Sequence, residues 1–102
     1  MKALVVTSPE ADEDIRRIDS WWRLHRGAAP QLFFEELAEA FALLSMVPEI
    51  GRRYPHPKIP NLRRWLLRAT KYHIYYVFAG EMVTVLSVWS AVRRRGPKLK
   101  AR

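Results

Sequence analysis

The sequence predicts an α+β fold: a hairpin of two antiparallel helices packed on one face of a mostly antiparallel four-stranded sheet, in the order β-α-α-β-β-β. Three observations predict it. Two consecutive segments carry apolar residues at helical spacing and are joined by only four residues, Arg26-Gly27-Ala28-Ala29. The stretch from Leu62 to Trp89 is rich in β-branched and aromatic residues with period-two alternation and a glycine turn at Gly80 and Glu81. A short apolar run, Leu4-Val5-Val6, opens the chain as a buried strand would.

The first strand spans Lys2 to Val6 and stops at Thr7-Ser8-Pro9. Ser8 is a good N-cap, and Pro9 fits the first helical position because its missing N–H would be unpaired there in any case. Glu10, Asp12, Glu13 and Asp14 follow, where carboxylates favour the positive end of the helix dipole. Ala11, Ile15, Ile18 and Trp22 share one face. On the other side Asp12 precedes Arg16, Glu13 precedes Arg17, and Asp19 precedes Arg23 by four residues each. That spacing accounts for the acidic cluster as a solvated, charge-paired face, ahead of a metal or general-base reading.

Gly27 is expected to end the first helix and Pro30 to start the second, which runs to about Met46. Phe33, Phe34, Leu37, Ala40, Phe41 and Leu44 form the stripe that would cover the sheet. Glu35, Glu36 and Glu39 have no base four residues on and are free to meet the basic second half in space. Pro48 to Asn61 holds four prolines, four basic residues and no usable period, and reads either as a stiff crossover or as a binding loop.

Leu62 to Arg68, Tyr72 to Phe78 and Met82 to Trp89 are the remaining strands. Gly80 suits the first central position of a type II′ turn, and the last strand is apolar on both faces. In Leu62–Arg68, Arg64, Leu66 and Arg68 alternate with Arg63, Trp65 and Leu67.

Residues 1–102 are expected to form one domain, with a basic tail from about residue 93. The formal charge is +8, with 49% hydrophobic and 27% charged residues. Met1 to Val47 carries five Lys or Arg against eight Asp or Glu, while Pro48 to Arg102 carries thirteen against two. A polyanion or acidic partner would meet the second half. The chain has no cysteine, which removes thiolate catalysis and disulfides and fits a reducing cytoplasm. The opening apolar run is too short for a signal peptide or membrane span, so a soluble, cytoplasmic protein without membrane contact is expected.

No glycine-rich phosphate loop, helical His pair or nucleophile elbow is present. His25, His56 and His73 lie far apart, so neither a metal site nor a cofactor is expected. The positive signal is cationic and aromatic: Arg63, Arg64, Arg68, Lys71, His73 and Arg93 to Arg95 as a binding surface, interleaved with Trp65, Tyr72, Tyr75 and Tyr76. The bland alternative is a packed set of aromatics with merely solvated arginines.

The segments AFALLSMVPEIGRRYP, LRRWLLRATKYHIYYVF and VTVLSVWSAVRRRGP, in the order strand, helix pair, loop and three strands, resemble the RelE/ParE toxin superfamily of bacterial type II toxin–antitoxin systems. The resemblance covers almost the whole chain. It implies a small basic toxin neutralised by a cognate acidic antitoxin. RelE-like members cut mRNA in the ribosome, and ParE-like members inhibit DNA gyrase. For the first activity, Arg64 and Arg68 match two basic sheet positions. His73 stands where many cleaving members have Arg, with Tyr75 beside it, and Arg93 lies near the last basic position. The terminal Tyr or His of cleaving members has no counterpart after Trp89. The ending SVWSAVRRRGP also departs from the polar, His-containing ending frequent in the ParE branch. ParE-like inhibition needs no catalytic set, so gyrase is the expected target. The alternatives are a ribosome-dependent endonuclease, and an inactive homologue or plain nucleic-acid-binding domain.

Overall fold

The computed structural model describes residues 2–100. A five-stranded sheet carries a helical hairpin on one face. The elements are β1 (Leu4–Thr7), α1 (Pro9–His25), α2 (Leu32–Met46), β2 (Arg52–Arg53), β3 (Leu62–Leu67), β4 (Tyr72–Ala79) and β5 (Met82–Ser90). Their order across the sheet is β1-β5-β4-β3-β2, with β1 parallel to β5 and every other pair antiparallel. The expected four strands are all present. The fifth, β2, lies inside the proline-rich connection and is only a two-residue pairing of Arg52 with Arg64 and Arg53 with Arg63. No periodicity could reveal it, because it is made by its docking on β3.

Ser8 caps α1 through its hydroxyl, which accepts from the Ala11 N–H at 3.1 Å. The same hydroxyl donates to the Leu86 carbonyl at 3.2 Å, so the cap also ties α1 to β5. Ala11, Ile18 and Trp22 are buried, as their spacing requires, and Trp22 Nε1 donates to the Tyr72 hydroxyl at 3.2 Å. The helix stops at His25 with Arg26 as its C-cap, so the interhelical link starts at Arg26 as expected and Gly27 follows directly after the cap. Successive turns from Arg26 to Leu32 then carry Pro30, so α2 begins at Leu32 with no side-chain cap. Phe33, Leu37, Ala40 and Leu44 form the buried stripe. Phe34 is 49% exposed, because a stripe through Phe33 at steps of four, three and four turns its neighbour outward.

The acidic side of α1 is only partly the solvated face expected. Asp19 pairs with Arg23 at 3.0 Å, but Arg17 pairs with Asp14 at 3.0 Å instead of with Glu13. Asp12 accepts from the Thr7 hydroxyl. Asp14 Oδ2 also accepts from the Ser87 hydroxyl at 2.8 Å and the Val88 N–H at 3.1 Å. β1 ends opposite Val85, so Asp14 occupies the edge of β5 that β1 leaves uncovered. Glu36 likewise meets backbone and hydroxyl groups: it accepts from Ala69 N–H at 2.7 Å, Thr70 N–H at 3.0 Å and the Thr70 hydroxyl at 2.6 Å.

Two apolar clusters sandwich the sheet. The helix-side core joins the buried faces of α1 and α2 to Leu67, Ile74, Tyr76, Val83, Val85 and Val88. On the other face Ile59 of the proline-rich connection packs with Leu62, Tyr75 and Leu86, flanked by Tyr54 and by Leu99 of the tail. A register shift at Tyr75/Tyr76 inserts Leu86 as an extra residue in β5, which lets that strand feed both clusters. The tail expected from about residue 93 is therefore folded back in part over the sheet. The turn between β4 and β5 places Gly80 at φ +62, while Glu81 is not in the left-handed region, as type II′ requires.

Candidate target-binding surface

Strand alternation decides which cations can act together. Arg64 of β3 lies opposite Tyr75 of β4, Leu66 opposite His73, and His73 opposite Trp89 of β5. Directly opposed residues share a face, so Arg64, Leu66, His73, Tyr75 and Trp89 lie on the sheet face away from the helices. Here a cleft of about 540 Å³ is lined by Ile50, Arg52, Arg64, Trp65, Leu66, Arg68 and His73. Three of the sequence-derived candidates, Arg64, Arg68 and His73, thus meet in one place. Arg52 and Ile50 were not singled out from the sequence. Their only signal was the basic content of a loop whose docking could not be read from its pattern.

The Arg64 guanidinium lies 4.8 Å from the centroid of the Tyr54 ring. Tyr54 meets Tyr75 edge-on at 5.2 Å, and Tyr75 meets His73 edge-on at 6.0 Å. Burial lowers the His73 pKa, and the nearby Arg64 charge lowers it further. Burial raises the Tyr75 pKa, opposed in part by a hydrogen bond from Arg64. Tyr75 is only 2% exposed. Tyr54 and Gly96 help to cover it: a Cβ on Gly96 would lie 3.2 Å from the Tyr54 hydroxyl and 3.9 Å from that of Tyr75.

The other candidates lie elsewhere. Arg63 points to the opposite face, where its Nη1 donates to the Glu49 carbonyl at 2.9 Å and the Gly51 carbonyl at 2.8 Å. Its side chain is 15% exposed and also pairs with the Glu49 carboxylate at 3.6 Å, so it clamps the connection to the sheet. Lys71 is exposed at the end of the β3–β4 turn with φ 67, its N–H donating to the Leu67 carbonyl at 2.9 Å. Arg93 sits 5.2 Å from the Trp89 ring and lines a separate groove with Arg17, Trp21, Tyr72 and Trp89. Arg94 and Arg95 are exposed beside it, and the Arg95 carbonyl accepts from Trp89 Nε1 at 2.7 Å. Among the described residues no three His, Asp or Glu side chains come together as a metal site.

The family model described as ParE toxin of type II toxin–antitoxin system, parDE, matches residues 5–95. The chain belongs to the ParE toxin family. It is accordingly a toxin of a type II toxin–antitoxin system, a class that implies a cognate antitoxin as partner. No curated protein is similar in sequence at a significant level. Among solved structures, the ParE-family fold is shared with a chromosomal ParDE toxin–antitoxin system from P. aeruginosa, at TM-score 0.71 and 16% identity over 87% of this chain and 96% of that one. It is also shared with a double arginine mutant of the E. coli toxin RelE in the free state, at TM-score 0.57 and 18% identity over 90% of this chain and 86% of that one. No helix among the described residues of this ParE-family toxin is long and apolar enough to cross a membrane.

Proposed function

We propose that this toxin arrests growth by ParE-like inhibition of DNA gyrase, acting as a single cytoplasmic domain over residues 1–102 that an acidic antitoxin neutralises. The cations on the open face, Arg52, Arg64 and Arg68, would make the target contact, with Lys71 and Arg93 to Arg95 at its margins. The observation that carries this reading is the composition of the cleft. Cleavage of RNA needs one group to activate the ribose 2′-hydroxyl and another to protonate the leaving oxygen. Besides its arginines the cleft is lined by a single ionisable side chain, His73, whose pKa is lowered by burial and by Arg64, and Tyr75 beside it is buried with a raised pKa. A set of arginines around one neutral imidazole suits binding of an acidic surface.

The ribosome-dependent nuclease is the second reading. It is favoured by the placement of His73 beside Arg64, whose charge would stabilise a phosphorane-like oxyanion while the neutral imidazole acts as base. Induced expression in a bacterial host, followed by assays of supercoiling by purified gyrase and of mRNA cleavage during translation, separates the two. Growth arrest with lost supercoiling and intact mRNA supports gyrase. Codon-phased cuts that disappear in His73→Ala would replace that reading with the nuclease. Absence of arrest would point to an inactive homologue or a nucleic-acid-binding domain.

A further inference from the structure

The last residues of β5 have no strand on their outer side. β1 stops opposite Val85, and the Val88 N–H beyond it donates to Asp14 at 3.1 Å. The Ala91 N–H donates across to the Lys71 carbonyl at 2.8 Å, so the Ser90 N–H falls on the outer side of the alternation, as that of Val88 does. A groove of about 590 Å³ lies here between α1 and the start of the tail. That is a size in which small molecules are held.

Its lining combines aromatic surface with hydrogen-bond donors. Trp21 of α1 and Trp89 of β5 contribute indoles, with Ile18 and Val88 as aliphatic surface. Trp21 is 40% exposed. The Tyr72 hydroxyl accepts from Trp22 Nε1 at 3.2 Å and, among the described residues, donates to nothing, so its proton is left for an acceptor. Asp14 is the one carboxylate in the lining, and it is fully engaged. Its Oδ1 takes Arg17 at 3.0 Å, and its Oδ2 takes the Ser87 hydroxyl and the Val88 N–H. Arg17 is thereby committed, whereas Arg93, 5.2 Å from the Trp89 ring, makes no ion pair among the described residues. The groups still available are all donors, and they carry one positive charge.

The geometry points to a binding site in this groove for a small planar aromatic carboxylate. The ring lies against the indoles of Trp21 and Trp89. The carboxylate takes Arg93 in bidentate fashion, with the Tyr72 hydroxyl and the Ser90 N–H as further donors. A single negative charge matches the single uncommitted cation. The Asp14 carboxylate in the same wall disfavours a phosphate dianion, and hence a nucleotide. It also occupies the Val88 donor through which an added strand would pair with β5, so a peptide ladder is disfavoured. Because the ligand touches both α1 and Arg93, its binding holds the start of the tail against α1. The site lies at β5, away from the arginine cleft along β3, and stands whether or not gyrase is the target.

The test titrates the full ¹⁵N-labelled chain at neutral pH with four probes: indole-3-carboxylate, its primary amide, acetate, and adenosine 5′-monophosphate. NMR follows the Trp21 and Trp89 indole N–H groups and the Ser90 amide. The expected result is a saturable shift of all three with indole-3-carboxylate, and binding about tenfold weaker or more for the amide and for Arg93→Gln. Trp21→Ala should weaken it by about threefold or more. Lys58→Gln, which removes an exposed charge outside the groove, should leave it unchanged. Should Arg93→Gln fail to fold, the comparison of acid with amide carries the test. Equal binding of the amide or of acetate, tighter binding of the nucleotide, an equal loss in Lys58→Gln, or no saturable shift at these groups up to about 10 mM would each overturn the proposal.

Discussion

His73 is the residue whose chemistry is most open to direct measurement. Its folded-state pKa lies below the ordinary value near 6.5, so the unfolded chain binds more protons in the window just below that value. Stability therefore rises with pH across that window, and His73 contributes no penalty once the pH is above 6.5, where both states are neutral. A residue-resolved NMR titration of the imidazole should give a midpoint below the ordinary value and an upward shift in Arg64→Ala. An unperturbed midpoint, indifferent to Arg64, would remove the coupling between them. Gly51 is a second informative residue. A Cβ there would sit 2.5 Å from the Tyr76 hydroxyl, 2.8 Å from that ring, and 3.0 Å from the Arg64 carbonyl. Tyr76 cannot give way, because it is fully buried and its hydroxyl also donates to the Pro48 carbonyl at 2.7 Å. Gly51→Ala should destabilise by about 1–3 kcal/mol, and an unchanged melting curve would show that the connection shifts freely. The sequence offered this glycine only as one residue in an aperiodic stretch. The alternation in β3 did separate Arg63 from Arg64, but it could not show that Arg63 is consumed as a clamp.

At the scale of elements, local chemistry was legible wherever it acts within an element. The Ser8 cap with Pro9 behind it, the α1 face of Ala11, Ile18 and Trp22, and the Gly80 turn are each set by neighbours in sequence. What escaped depends on elements meeting. Asp14 reads as one of the carboxylates at the positive end of the α1 dipole but closes the β5 edge, and Glu36 reads as a charge without a helical partner but holds the β3–β4 turn. The start of α2 was misplaced because Pro30 serves the interhelical turns instead of the first helical position. Glu36→Ala would leave the Thr70 hydroxyl and two turn amides without their acceptor, in a place where Thr70 is buried. We expect a loss of about 1–3 kcal/mol in the denaturant midpoint analysis, with faster amide exchange at Ala69 and Thr70. Exchange unchanged at those two amides would show that the turn holds itself. The β3–β4 turn presents Arg68 to the cleft, so this half-buried acceptor on α2 is also a means of positioning a cation at the edge of the sheet.

For the molecule as a whole, the charge asymmetry becomes a spatial one. The acidic first half supplies β1 and both helices, and the basic second half supplies the other four strands and the tail. Eight of the ten acidic residues fall in Met1–Val47. Several of them serve the fold, as Asp14, Asp19 and Glu36 do, so the arginines of the open face keep their charge available for a partner. Contacts made by these exposed cations should weaken as salt screens them. The overall architecture was readable because helix stripes, strand alternation and turn glycines agree with one another. The composition of the cleft was readable only in part, since Arg52 arrives from a strand that exists by virtue of its neighbour and Ile50 from a connection with no period of its own.

The most direct test is the supercoiling activity of purified gyrase titrated with the wild-type toxin and with Arg64→Ala/Arg68→Ala. Arg68 is exposed, and such a charge contributes about 0–1 kcal/mol to stability; Arg64 is half-buried over the Tyr54 ring, and its removal costs a cation–π contact of about 0.5–2 kcal/mol without opening the apolar core. The account predicts inhibition by the wild type and a loss of about tenfold or more in potency for the double variant, with the two proteins indistinguishable by circular dichroism. Full inhibition by a folded double variant, or no inhibition by the wild type, would contradict it.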